Sequence, residues 1–336
     1  MAGGITPRRV RALAISLSSL LLSALSLACA QAHAQAYPSR PITVVSPYAA
    51  GGDSDLSGRN LANVVPKYLG QPMIMTNVVG ASGTIGSQKV RGSAPDGYTL
   101  LIARIGSQAI IPALDTKTAY KWNDFTFLSL LELNPYVCVV KADSQARTMK
   151  DLIEMLRADP GKLNYSSAGA GTIQHMGPQY IFNVAGLPLG AAEHVGYKGA
   201  GEATTALLSG QVQFMCTNMT TLTGHLKAGT LRALMTTTSE RLKELPDTPT
   251  ARELGWPQLE ALTGWSALYG PPGMPAEVVA KWTEALRQIA QDADWLKGNA
   301  AIGGVPAIRS PAETEKFVRE QYELYERLGT TLGLRK

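Results

Sequence analysis

The chain has 336 residues, of which 45% are hydrophobic and 17% charged, with 31 basic residues against 26 acidic ones and a net charge of +5. Three of the basic residues, Arg8, Arg9 and Arg11, fall in the first 36 residues, which hold no acidic one, so the rest of the chain carries only +2. That balance excludes the strongly basic face of a nucleic-acid binder or of a protein held on an anionic membrane.

An apolar run from Leu13 to Ala30 follows the arginines, and then come Ala32-His33-Ala34 and Ala34-Gln35-Ala36. A basic start, an apolar middle and a small-x-small end predict a cleavable secretory signal over residues 1–36, cut after Ala34 or Ala36. The pair Arg8-Arg9 leaves a twin-arginine route open beside the general one, although Arg11 stands where such signals usually carry an apolar residue. Ser26-Leu27-Ala28 before Cys29 is a poor lipidation site. No later run is long and apolar enough to span a bilayer, and roughly 300 remaining residues suffice for two medium lobes with their own cores.

Beyond the signal, short β-type runs alternate with helix-type runs. Pro41 to Val45 reads as a strand, and Leu56, Leu61, Val64, Val65 and Leu69 keep helical spacing up to Gly70. Met73 to Val79 is a second strand, Gly80 to Gly86 a small-residue turn, and Tyr98 to Ala103 a third strand. Tyr136 to Val140 begins a second series. There Thr148 and Asp151 have the spacing of a helix N-cap with an acidic third residue, and Asp159-Pro160-Gly161 ends that helix. Leu163 to Tyr165, Val212 to Met215, Leu231 to Thr236 and Trp265 to Tyr269 read as further strands. An amphipathic helix follows Pro271-Pro272-Gly273, and Ser310-Pro311-Ala312-Glu313 is a capping box opening the last helix. The strand–turn–helix rhythm predicts an α/β fold with mostly parallel sheets.

Catalytic and metal-binding patterns are absent from the sequence. It contains no His-Glu-x-x-His, no Gly-x-Ser-x-Gly and no phosphate-binding Gly-x4-Gly-Lys-Ser/Thr. Gly169-Ala170-Gly171 begins like a dinucleotide fingerprint, but Gln174 stands at the third glycine. His175, His194 and His225 are far apart in sequence, with no cysteine or carboxylate at ligand spacing. No cofactor and no metal are therefore expected. Cys138 and Cys216 lie in apolar strand-like runs and read as two buried small hydrophobes, while export leaves a disulfide open.

What the sequence does carry is a pair of glycine-rich turns that lead into helices. In Ser46 to Asp55, Ala50, Gly51 and Gly52 let the backbone approach a ligand. The free N–H groups of the helix start, about Ser54 to Leu56, suit an anion such as a carboxylate; a plain N-cap by Asp53 or Ser54 is the competing reading. The second turn, with Ser166, Ser167, Gly169 and Thr172, has the same design in the second series, so a ligand is expected to be gripped from both sides. Arg104 ends the third strand, where parallel sheets place their crevice and where a guanidinium can pair with a carboxylate; otherwise it is a solvated surface charge. Ser82 in the turn 80–86, Ser107, His175 in a first helical turn, Tyr197 and Asn218 at strand ends complete the candidate set. Tyr48 offers an aromatic wall.

These segments together resemble the substrate-binding receptors of tripartite tricarboxylate transporters, the Bordetella uptake (Bug) receptors. The matching stretches run in order from Tyr37-Pro38-Ser39-Arg40-Pro41-Ile42 and the turn 47–55 through Ala94 to Leu100, Ser166 to His175 and Leu208 to Val212 to Leu245 to Thr250. The resemblance implies a two-lobed periplasmic-binding-protein fold with a cleft between lobes 37–136 plus 256–336 and 137–255. It implies capture of a small carboxylate in the periplasm, delivery to membrane transporter subunits, no catalysis and a monomeric receptor. A sensing receptor of the same fold, or a periplasmic enzyme on the same scaffold, are the alternatives. Family members commonly have prolines at Ala49-Ala50, a small residue at Arg104 and an aspartate beside Asn218. Losing that acid and gaining Arg104 is expected to favour a dicarboxylate, aliphatic or aromatic of the phthalate type, over an amino acid.

Overall fold

The computed structural model describes residues 37–335, so the predicted signal lies outside the described residues. Among the described residues, no helix is long and apolar enough to cross a membrane. The chain is α/β and two-lobed, and its strands form two sheets.

In chain order the first lobe begins with β1 (Ile42–Ser46), α1 (Asp53–Leu69), β2 (Met73–Asn77), α2 (Thr84–Arg91) and β3 (Thr99–Arg104). One turn of π-helix, Gly106–Ile110, runs on into α3 (Ile111–Leu114), and β4 (Thr126–Asn134) follows. The chain then crosses over through β5 (Tyr136–Lys141), α4 (Met149–Ala158), β6 (Leu163–Ser167), α5 (Ile173–Val184), β7 (Ala192–Gly196), α6 (Ala200–Leu208), β8 (Phe214–Asn218), α7 (Thr223–Lys227) and β9 (Leu231–Thr236). It returns as β10 (Gly264–Gly270), α8 (Ala276–Ile289), α9 (Ala293–Ala301), β11 (Val305–Pro306) and α10 (Pro311–Thr331).

The six-stranded sheet has the order β11-β4-β10-β3-β1-β2 and the five-stranded sheet the order β7-β6-β8-β5-β9. Both are mixed, which corrects the mostly parallel sheets that the rhythm predicts. β1 runs parallel to β2 and β3, and β6 parallel to β7 and β8. β10, in contrast, is antiparallel to β3 and β4, and β5 is antiparallel to β8 and β9. The helical crossovers of the βαβ units enforce parallel pairing, whereas β10 re-enters the first sheet from the second lobe and is free of that constraint.

Local chemistry sets the helix starts as expected. Thr148 and Ser310 each accept the N–H of the third helical residue while Asp151 and Glu313 reach back to the caps. β4 is the longest strand that the sequence reading lacks. Its run Thr126-Phe-Leu-Ser-Leu-Leu-Glu-Leu-Asn134 is rich in leucine, which suits a helix or a buried strand equally, and only pairing with β10 on one side and β11 on the other decides between them.

The main apolar cluster joins Trp265, Tyr269, Tyr136, Phe214 and Tyr325. The register β5–β8 places Cys138 directly opposite Cys216, and the two are bonded, with both side chains buried. They are therefore a cross-strand disulfide and not two small hydrophobes: neighbouring strands bring together residues 78 apart in sequence.

Candidate functional site

The carboxyl ends of β1, β3, β6 and β8 converge on one cleft, where parallel strands in α/β folds present ligands. Its inner cavity measures about 20 Å³, close to what a single water needs. Tyr48, Asp53, Ser54 and Arg104 line it from the first lobe, and Thr172 and Asn218 from the second. These six sequence candidates are brought together. Ile105, Gly106, Ala168, Ile173, Gln174 and Ala200 also line the cavity and were not singled out. Five of them supply backbone and apolar surface, which carries no composition signal, and the Gln174 amide donates to Thr217 Oγ1 at 3.0 Å.

Two helix starts face this space. At α1 the N-cap is Gly52, in extended geometry and without a side-chain cap, so neither Asp53 nor Ser54 is the plain N-cap considered from sequence. Asp55 shapes the turn before it. Its Oδ2 accepts from the Gly51 N–H at 3.0 Å and from Arg59 Nε at 2.8 Å, while Asn77 donates to its Oδ1 at 3.1 Å. Gly51 stands at φ 74°, a left-handed conformation that glycine adopts without cost. At α5 the N-cap is Thr172, again with no side chain closing the first N–H groups, because its hydroxyl donates instead to the Gly169 carbonyl at 2.7 Å. Unclosed N–H groups at two helix starts, with both dipoles positive there, suit carboxylate oxygens.

Arg104 is the main correction. It is neither a surface charge nor a free anchor: its side chain is only 4% exposed. Nη2 donates to Asp53 Oδ2 at 3.0 Å, and Nη1 donates to Asn134 Oδ1 at 3.0 Å and to Ser266 Oγ at 2.5 Å. Asn218 Nδ2 donates to the same Asp53 oxygen from the other lobe, at 2.8 Å. The cleft therefore has an acid after all, on the first lobe, and the excess positive charge expected from Arg104 is matched. Nothing in the sequence near Arg104 points to Asp53, which lies 51 residues away.

Behind Arg104, Ser266 Oγ donates to Glu132 Oε1 at 3.0 Å and Asn134 Nδ2 donates to it at 3.3 Å. Glu132 is fully buried, and burial pushes its carboxyl above the ordinary glutamate value of 4.5, although Arg104, Asn134 and Ser266 pull the other way. Its Oε2 and the Asn299 Oδ1 are both buried acceptors without a partner, and both face the small space above Gly304. Protonation removes the charge that burial disfavours there. The folded state then holds a proton that the unfolded chain releases near pH 4.5, so stability from this group is full below that pH and falls as pH rises through the folded value. Glu132→Gln keeps the acceptor and supplies an N–H in place of the proton. It is expected to melt at or above the wild-type temperature at pH 8, with the difference shrinking toward pH 5. A difference that grows on acidification refutes the protonated form.

The remaining candidates are placed differently. Ala50, Gly51 and Gly52 do not line the inner cavity; their turn meets the second lobe through backbone. Ala49 N–H donates to the Lys198 carbonyl at 3.4 Å, and Gly52 lies beside the Ala200 nitrogen. Ser82 and His175 line a separate, larger cavity of about 480 Å³, together with Ile111 and Gly171. Ser82 also faces Gly169 across the cleft, and its carbonyl accepts the Tyr48 hydroxyl at 2.8 Å. Ser107 lies buried behind the site and donates to the Arg104 carbonyl at 3.4 Å. Ser166 donates to the Ala203 carbonyl at 3.0 Å and Tyr197 to Gln211 Oε1 at 3.3 Å, so both side chains serve the second lobe's own packing and do not line the cavity.

His175 Nδ1 accepts the Gly171 N–H at 3.2 Å. Its ring lies 4.3 Å from that of His194, whose Nε2 is 2.5 Å from Ser167 Oγ. The histidines that are far apart in sequence thus meet under the second glycine turn and buttress it. Burial lowers the His194 pKa and so favours its neutral form. Among the described residues no group of three or more histidine, cysteine or acidic side chains is placed to hold a metal ion.

Residues 58–334 match the family model of the tripartite tricarboxylate transporter family receptor. Protein BugT of Bordetella pertussis is 30% identical over 300 residues, 88% of this chain and 90% of its own. Among solved structures, MatC from Rhodopseudomonas palustris with bound malate is 29% identical with a TM-score of 0.82, covering 87% of this chain and 100% of that one. A second R. palustris protein, solved with adipate, is 26% identical with a TM-score of 0.83 over 88% of this chain and 98% of that one. A two-lobed α/β fold, two unclosed helix starts facing one cleft and a family match over most of the described chain lead to one conclusion: the chain belongs to the tripartite tricarboxylate transporter receptor family, the Bug-type periplasmic solute-binding receptors.

Proposed function

We propose that this receptor captures a small dicarboxylate in the periplasm and delivers it to the membrane subunits of a tripartite tricarboxylate-type transporter. The observation that carries the reading is the pair of helix starts, α1 and α5, that meet across the cleft without side-chain caps. Each suits one carboxylate. Two similar structures hold diacids, malate and adipate, which supports the same class here. The buried disulfide supports an oxidising compartment.

The lobes are residues 37–136 with 256–336, and 137–255. The inner cavity is too small for a diacid as the lobes now stand, so the ligand enters when they part and is enclosed when they close. The receptor acts as a monomer and performs no chemistry on its cargo.

Titration calorimetry on the mature protein tests this with succinate, adipate and phthalate against the corresponding diamides. Binding of at least one diacid at a Kd of about 1 μM or below, roughly −8 kcal/mol, with no heat from its diamide, is expected. Equal binding of acid and diamide overturns the reading. Preference for phthalate within the diacids selects the aromatic form of it.

A further inference from the structure

Two charged side chains line the inner cavity, Asp53 and Arg104, one of each sign. The arginine makes three hydrogen bonds within its own lobe, to Asp53, Asn134 and Ser266. The aspartate is not. Its Oδ2 takes donors from both lobes, Arg104 at 3.0 Å and Asn218 at 2.8 Å, while its Oδ1 is buried and has no hydrogen-bond partner. The side chain is only 7% exposed.

A buried carboxylate oxygen without a donor is unfavourable. A ligand carboxylate set against it is worse, since like charges repel in a site closed to water. A hydroxyl or ammonium group on the ligand removes the penalty, and the ammonium also pairs with the negative charge. The anion-suited groups are the helix starts, so carboxylate places and one acceptor place border the same cleft.

We propose that Asp53 is a specificity-determining residue: its Oδ1 takes a hydrogen-bond donor of the ligand, so the favoured cargo is a diacid carrying a hydroxyl or amino group on its chain. Arg104 holds the Asp53 carboxylate in place, and Asn218 ties it across the cleft so that closure brings the acceptor onto the bound molecule. This rests on the diacid reading above and narrows it. It also reverses the sequence expectation that the cleft disfavours amino acids, provided that they are acidic ones.

The test is calorimetry on the mature receptor with succinate, 2-hydroxysuccinate and 2-aminosuccinate, and with adipate and 2-aminoadipate as the longer pair. Within at least one series the substituted acid is expected to bind about ten-fold or more tighter than the plain one, the range for a hydrogen bond to a charged group. In Asp53→Asn that preference is expected to shrink to about three-fold or less, mainly through weaker binding of the amino compound, which loses its charge partner. Far-UV circular dichroism establishes that the variant is folded, and the wild-type comparison stands without it. Plain and substituted acids binding alike in the wild type overturns the role of Asp53 and leaves the diacid reading intact. An undiminished preference in folded Asp53→Asn does the same. No binding by any of the five acids overturns both.

Discussion

Arg104→Ala is expected to destabilise the protein by about 3–5 kcal/mol, the cost of leaving a buried charge unpaired. The pair is almost wholly withdrawn from water, with side-chain exposures of 4% for Arg104 and 7% for Asp53. Removing the guanidinium strands the Asp53 carboxylate and also deprives Asn134 and Ser266 of a donor. Chemical denaturation reads the loss as a lower midpoint at unchanged slope. The sharper measurement is the double variant Asp53→Asn with Arg104→Met. It removes both charges and is expected to recover most of the loss, because a neutral replacement of a buried ion pair is often close to neutral in stability. A double variant as unstable as Arg104→Ala alone refutes the ion-pair account and assigns the effect to lost packing.

The second large effect concerns the disulfide. Cys138 and Cys216 lie 78 residues apart and close a loop that contains β6 and β7 of the second sheet. Such a cross-link constrains the unfolded chain and typically stabilises the folded one by about 2–4 kcal/mol. The double variant Cys138→Ala with Cys216→Ala, or the wild type under reductant, is expected to lose that amount in equilibrium unfolding. The two routes should agree, since both remove the same cross-link. An unchanged midpoint in both refutes a stabilising role. Asn218 lies two residues beyond Cys216 on the same strand, so ligand affinity measured on the folded reduced protein reports whether β8 keeps its position.

Much of the scaffold is legible in the sequence because its signals are local. The capping boxes at Thr148 and Ser310 lie within four residues, and both form as read. β9 has the very limits that its apolar run suggests. Both glycine turns lead into helices at the cleft, and Tyr48, Asp53, Ser54, Arg104, Thr172 and Asn218 meet there. β4 is a costly omission, because it carries Glu132 and Asn134. A leucine-rich run has no preferred period, so the network behind Arg104 stays hidden until β4 pairs with β10.

The sequence by itself determined the family, the alternation of strands and helices, and which turns approach a ligand, since each depends on residues close along the chain. Only the tertiary structure decided the charge of the cleft. Arg104 finds Asp53 at a separation of 51 residues and Ser266 at 162, and Asp53 meets Asn218 at 165. Electrostatic partners are chosen by distance in space, and strand order in the two sheets sets that distance. An arginine that reads alone as an invitation to anions becomes, once folded, the support of an aspartate.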